Sequence, residues 1–291
     1  ETGNKEKALE KLLELLDALE EADTSRRAAQ IDKDGNVTLS SEIPAGKPAA
    51  EKSAEDGTGE SQPLYMSLNH VMEYYIFAYY FQPATEVRCT DIPYGEYYRT
   101  YGQLALSMQK YNGAKKAYER AIAWNPVDLD AYLGLAEVYK YQNQREKYLT
   151  VTKQAYRYCC TRATMARYYR NMAFYYLSGY EPETARACYQ YSNVYYHTEN
   201  ADSELKYISE AIQQETPQTD IRAIQKLFDE KQIEPGPDSQ TIGIVYKVGE
   251  ILLKDGDYKL AKDCYSIVYD ITQDASAEKL LNELEAAIAG N

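Results

Sequence analysis

Two arginines three residues apart, Arg167 and Arg170, close a strongly basic stretch inside an otherwise acidic chain. A guanidinium group is a rigid fork of N–H donors that can meet a carboxylate or phosphate with two parallel hydrogen bonds. Between residues 140 and 170 eight basic side chains (Lys140, Arg145, Lys147, Lys153, Arg157, Arg162, Arg167 and Arg170) accompany a single acid, Glu146, although the 291-residue chain has a formal net charge of −13. Three readings fit such an island: a solvated helix face, a docking patch for an acidic peptide, or a nucleic-acid contact. The overall negative field opposes a phosphate backbone, so no nucleic-acid partner is expected.

Other reactive residue types are scattered. The five cysteines are odd in number. Adjacent Cys159 and Cys160 diverge around a helix and suit neither a zinc site nor an ordinary disulfide. Buried thiols favour a reducing compartment. A cytoplasmic location is therefore expected, with a secreted or membrane-tethered parent protein as the alternative. His70 and His197 lie far apart in sequence and lack a His or Cys at helical spacing. The run Asp32-Lys33-Asp34-Gly35-Asn36 is similar to a calcium loop, but its glycine comes two places too early, so a turn is expected. Asn36-Val37-Thr38 is a glycosylation sequon, meaningful only in a eukaryotic secretory setting. No glycine-rich phosphate loop, His-Glu-x-x-His or Gly-x-Ser-x-Gly is present. These observations predict a non-enzymatic protein without catalytic residues, cofactor or metal.

Tyrosine is the compositional outlier, with 31 residues against four phenylalanines and one tryptophan. Doublets recur, as at Tyr74-Tyr75, Tyr168-Tyr169 and Tyr195-Tyr196. Neighbours on a helix diverge by about 100°, so one of each pair can pack while the other lies nearer a rim or groove. Two readings stand: Tyr replaces Phe in packing between helices, or it lines a peptide groove as a large, stiff contact surface.

These side chains need elements to hold them, and the spacing names the elements. Tyr98, Gly102, Ala114, Tyr118, Ala121 and Pro126 form a first set; 34 residues on come Tyr132, Leu135, Ala136, Tyr139 and Ala155. After a three-residue slip follow Tyr169, Ala173, Tyr176, Ala185 and Tyr189, and near the end Val245, Gly249, Leu252, Ala261, Tyr265 and Val268. Turns fall between the helices of each set, as at Lys110–Gly113 and Lys254–Asp257. This pattern resembles the tetratricopeptide repeat, which implies an all-α fold: a right-handed superhelix, or α-solenoid, of stacked helix hairpins. The clear repeats are 95–128, 129–160, 166–198 and 242–273. A degenerate hairpin is expected over 200–233, broken by Pro217, and a closing helix over 275–289, within a solenoid running 64–291. Ahead of it, 1–23 reads as a helix with the stripe Ala8, Leu9, Leu12, Leu13, Leu16 and Leu19, similar to the second helix of a truncated repeat. Residues 24–63, poor in apolar side chains, read as a flexible linker or loop, with a turn at Asp34-Gly35 able to carry a transient hairpin. Residues 64–81 read as a tyrosine-rich helix. No apolar run reaches the ~20 residues of a membrane span, so no membrane insertion is expected.

In the family that the repeats resemble, first helices line a concave groove. The matching positions include Arg99, Gln103, Leu106, Glu137, Lys140, Tyr141, Arg167, Arg170, Phe174, Tyr246, Glu250 and Lys254. Some family members clamp a peptide's terminal carboxylate with Lys, Arg and Asn from adjacent repeats; Arg99, Gln103 and Arg167 echo this in part, but Gly134 stands where an Asn belongs. The resemblance implies a protein-interaction scaffold that binds an acidic peptide or helix through Arg99, Gln103, Lys140, Tyr141, Arg167, Arg170 and Phe174. The alternative is a structural or regulatory module of a larger protein with the N-terminal segment as its internal ligand.

Overall fold

The computed structural model describes residues 2–22, 27–34, 36–39 and 63–289. The chain divides into two compact units, Glu1–Lys147 and Tyr148–Asn291. The first holds α1 (Thr2–Ala22), β1 (Ala29–Ile31), β2 (Val37–Leu39), β3 (Leu64–Met66), α2 (Val71–Phe81), β4 (Val87–Cys89), α3 (Tyr94–Ser107), α4 (Tyr111–Trp124) and α5 (Leu129–Tyr141). Helix α6 (Arg145–Tyr156) begins at its end. The second unit continues with α7 (Arg162–Ser178), α8 (Pro182–Tyr195), α9 (Glu199–Ile212), α10 (Ile221–Lys231), α11 (Ser239–Lys254), α12 (Tyr258–Thr272) and α13 (Ala275–Ala289).

The hairpins α3–α4, α5–α6, α7–α8 and α11–α12 turn in the same way. Each first helix ends with one residue at positive φ: Gln109 (59°), Asn143 (55°), Tyr180 (62°) and Gly256 (83°). The next residue donates its N–H to the carbonyl five places back: Lys110 to Ala105, Gln144 to Tyr139, Glu181 to Tyr176 and Asp257 to Leu252, at 2.8–3.0 Å. This is the Schellman closure, which satisfies carbonyls that the helix end would otherwise orphan. Following helices are opened by short polar caps, with Asp128 accepting from Ala131, Thr161 from Thr164, Asp238 from Thr241 and Asp257 from Leu260. Degenerate as it is, the α9–α10 pair ends both helices on the same closure, with Gln213 and Gln232 at positive φ.

Small residues sit where helices cross. Ala114, Ala121, Ala136, Ala173, Ala185 and Ala261 are fully buried. A Cβ on Gly102 would meet the Tyr118 ring at 2.9 Å, and one on Gly134 would meet it at 2.3 Å. Tyr118, itself buried, is thus wedged between two glycines of α3 and α5. In the last hairpin Gly249 gives Tyr265 the same room, with a Cβ-to-ring distance of 3.0 Å. Glycine stands at 134 because the aromatic ring occupies the space of a side chain.

The stretch ahead of α3 departs from a plain helical reading. Within 24–63, β1 and β2 pair antiparallel (Ala29 with Leu39, Ile31 with Val37), and Ala28, Ala29 and Leu39 are buried. Ala28 donates to the Tyr65 carbonyl at 3.0 Å, so this hairpin is tied to the unit rather than a loose connection. Residues 40–62 of the expected linker lie outside the described residues. Residues 64–66, expected as the start of a helix, form instead a strand paired in parallel with β4. Leu64 and Met66 are buried while Tyr65 is half-buried, an alternation of two that a helix does not produce. Helix α2 starts only at Val71, where Glu73 reaches back to the amides of Asn69 (2.7 Å) and His70 (3.4 Å). Among the described residues each sheet has two strands.

Candidate functional site

In the first unit Arg99 is a tie between elements. Its Nη1 donates to both carboxylate oxygens of Asp128 (3.0 and 3.1 Å), and its side chain is 18% exposed against 2% for Asp128. Asp128 also caps α5, accepting from Ala131 at 3.2 Å. Beside it Glu73 accepts from Asn125 Nδ2 (2.8 Å) and from Asn69 Nδ2 (3.1 Å). Burial raises the pKa of both carboxyls: for Asp128 it outweighs the opposing charge of Arg99, and for Glu73 the charge of Asp128 adds to it. Arg99, placed in a ligand groove by the repeat spacing, is thus committed to holding α3 against the start of α5. Its partner lies 29 residues away, and only folding shows the pair.

Gln103 is exposed on α3. Lys140 lies 3.9 Å from Glu137 one turn back, and Tyr141, 59% exposed, stacks on Tyr111 at 5.6 Å. Both stand at the end of α5 opposite to Asp128, so about 18 Å of helix rise separates them from the Arg99 tie.

Folding also sorts the basic island. Lys147 lies over the Tyr139 ring at 5.8 Å, and Arg145 meets Glu146 at 3.2 Å. In the second unit Arg162 donates to the Val194 carbonyl at 2.7 Å and covers the Tyr195 ring. Arg167 and Arg170 differ: among the described residues no carboxylate pairs with either. Arg170 carries a buried Nη1 without an acceptor, and burial, helped by the charge of Arg167, lowers its pKa. Next to it Asn171, 6% exposed, has a buried Nδ2 that is likewise without an acceptor. At 100° per residue Arg167, Arg170, Asn171 and Phe174 share one face of α7. Phe174 sets its ring against the buried Tyr148 at 5.3 Å, nearly perpendicular. The face therefore carries two half-buried guanidinium groups without an acid partner beside an aromatic surface, and its chemistry fits an oxyanion attached to something apolar. Asn171 was not among the expected residues; its place four residues after Arg167 was the available signal.

Several other reactive groups are occupied or inert, while Cys89 is an exposed thiol. Burial pushes the thiols of Cys159 and Cys188 well above the ordinary range and that of Cys264 up to about 11, so none is an activated nucleophile at neutral pH. His197 pairs with Asp202 at 2.8 Å. Asp32 uses its carboxylate to close its own turn, accepting from the amides of Asp34 (2.8 Å) and Asn36 (2.9 Å). Among the described residues there is no group of three metal-ligating side chains, and no helix is long and apolar enough to cross a membrane.

The repeated Schellman closures, the glycines that admit a tyrosine ring and the 34-residue step from Gln109 to Asn143 recur together. The hairpins are tetratricopeptide-like. No family model and no curated protein matches the chain. Solved structures with a similar fold are distant. Cut9 with Hcn1, a hetero-tetramer of the APC/C, aligns at a TM-score of 0.38 and 14% identity over 68% of this chain and 38% of that one, so the chain spans well under half of that protein. PilF of Pseudomonas aeruginosa aligns at 0.37 and 15% identity, covering 67% of this chain and 85% of PilF. YrrB, described as a tetratricopeptide protein with an unusual peptide-binding site, aligns at 0.34 and 14% identity, covering 65% and 91%.

Proposed function

We propose that this tetratricopeptide-like chain is a non-enzymatic interaction scaffold, and that the Arg167–Phe174 face of α7 binds an acidic, partly apolar peptide. The observation that supports this most is the pair Arg167 and Arg170, neither paired with a carboxylate among the described residues, on a helix with no acid of its own. Gln103, Lys140 and Tyr141 belong to the first unit and form no part of this site, and Arg99 is held by Asp128.

A fluorescent peptide alternating Glu and Leu is a suitable probe. Binding should weaken as salt rises and vanish in the Arg167→Glu, Arg170→Glu double variant, with the helical circular dichroism retained. Asn171→Leu should leave stability equal or higher, because it removes an unsatisfied buried amide. Binding that survives the charge reversal would move the site elsewhere.

A second reading, a module carrying its own N-terminal ligand, is supported by α1. Leu9 and Leu16 are buried, Asp17 pairs with Arg120 at 2.9 Å, Glu6 lies 3.7 Å from Lys110, and Tyr94 donates to the Leu19 carbonyl at 3.2 Å. Added α1 peptide that restores the melting midpoint of a chain lacking residues 1–22 would favour this reading. A deletion that changes nothing would dismiss it.

A further inference from the structure

Roughly opposite the basic face of α7 lies a surface of another kind. Tyr169 and Tyr176 of α7, Tyr156 of α6 and Tyr191 of α8 lie along the end of α10 and the strap, residues 232–238, that joins it to α11. Three phenols donate to main-chain carbonyls of that strap: Tyr169 to Glu234 (2.8 Å), Tyr191 to Pro235 (2.6 Å) and Tyr156 to Gly236 (3.0 Å), while Tyr176 reaches the last carbonyl of α10, Lys231, at 3.5 Å. Gln225 orients the Tyr191 hydroxyl from 3.1 Å. Ile233 is buried to 2% exposure, while Glu234 and Pro235 face solvent. The strap is neither helix nor strand from Ile233 to Asp238.

In helices and strands the carbonyls are met by backbone N–H groups. Here a wall of side-chain hydroxyls reads carbonyls only, which is how a groove holds a bound peptide. The match has a chemical reason: Pro235 and Pro237 have no N–H to satisfy, and their rings preset φ, so such a segment offers acceptors at little entropic cost. The flanking helices lean on the strap only at its two ends. Gln232 closes α10 at φ 54°, with Ile233 donating back to the Phe228 carbonyl, and Asp238 caps α11 by accepting from Gln240 (2.9 Å) and Thr241 (3.1 Å).

We propose that the tyrosine trough of α6–α8 is a receptor for bent segments of the form apolar–x–Pro–x–Pro, that Ile233–Pro237 is its resident occupant, and that a partner bearing such a segment exchanges with it. The occupant itself defines the ligand: one apolar anchor, and carbonyls presented by a backbone poor in N–H groups.

The probe is a fluorescent peptide of residues 230–238, titrated against the full chain and against a variant with the strap disabled by Ile233→Gly, Pro235→Ser and Pro237→Gly. A tethered strap competes at an effective concentration in the millimolar range, so the disabled variant should bind the peptide at least about tenfold more tightly than the parent. Adding Tyr169→Phe and Tyr191→Phe should weaken that binding about fivefold per hydroxyl lost. A folded strap variant that fails to bind, or binding indifferent to the hydroxyls, overturns the proposal. Should the strap variant not fold, hydrogen exchange on the parent decides: excess peptide should speed exchange at the Glu234 and Gly236 amides. Unchanged exchange there counts equally against it.

Discussion

Arg99→Met should lower stability at neutral pH by about 3–5 kcal/mol, the cost of removing one partner of a buried ion pair and leaving the other charged. The carboxylate left behind is the Asp128 side chain, 2% exposed, with Glu73 of raised pKa beside it. Methionine approximates the length of the arginine stem, so the loss reports on charge rather than on a cavity. A ligand-binding Arg99 would behave differently: its removal would spoil binding and leave the fold intact. The effect should also depend on pH. Glu73 and Asp128 keep their protons to a higher pH folded than unfolded, where the ordinary values are 4.5 and 3.8. The native state is thus penalised as pH rises from those values through the raised ones, and the penalty disappears as pH falls back. Without Arg99 the raised value of Asp128 should climb further. Urea melts should therefore show the deficit at pH ~7 shrinking by pH ~4.5. A deficit under about 1 kcal/mol at neutral pH would mean that the pair is no more than a surface-type contact.

Gly134→Leu should be the other severe change, with a net loss of about 1–3 kcal/mol or somewhat more. Helix propensity alone points the other way, since replacing an interior glycine gains up to about 1 kcal/mol. Packing decides the sign: the new Cβ would stand 2.3 Å from the Tyr118 ring, which is buried and has Gly102 on its other side. The loss should be partly relieved when Tyr118 is shortened, giving a coupling of about 0.5–3 kcal/mol in a Gly134→Leu, Tyr118→Leu cycle. Strict additivity would show that another neighbour sets the cost.

The repeat was legible because it is written locally. Turn residues, the alanines and glycines at crossings and the 34-residue step each act within one hairpin, and neighbouring hairpins repeat them. The strand at Leu64–Met66 was not legible, since its partner Val87–Cys89 lies beyond an intervening helix and three residues of alternation are too few to read. The basic island was visible as a count of charges, but a count cannot tell a paired cation from an unpaired one. Arg162, spent on the Val194 carbonyl, and Arg170, with a buried and unsatisfied Nη1, look alike in one dimension.

By itself, then, the sequence determined the hairpins, their small-residue crossings and the clustering of positive charge, because periodicity and turn chemistry are short-range properties. Tertiary structure alone decided that Arg99 belongs to Asp128, that Gly134 is a seat for Tyr118, and that three tyrosines hold the carbonyls of a strap from 44 to 80 residues further on. Those choices depend on which groups lose water together and which donors then find an acceptor. Only the folded arrangement of distant segments sets that.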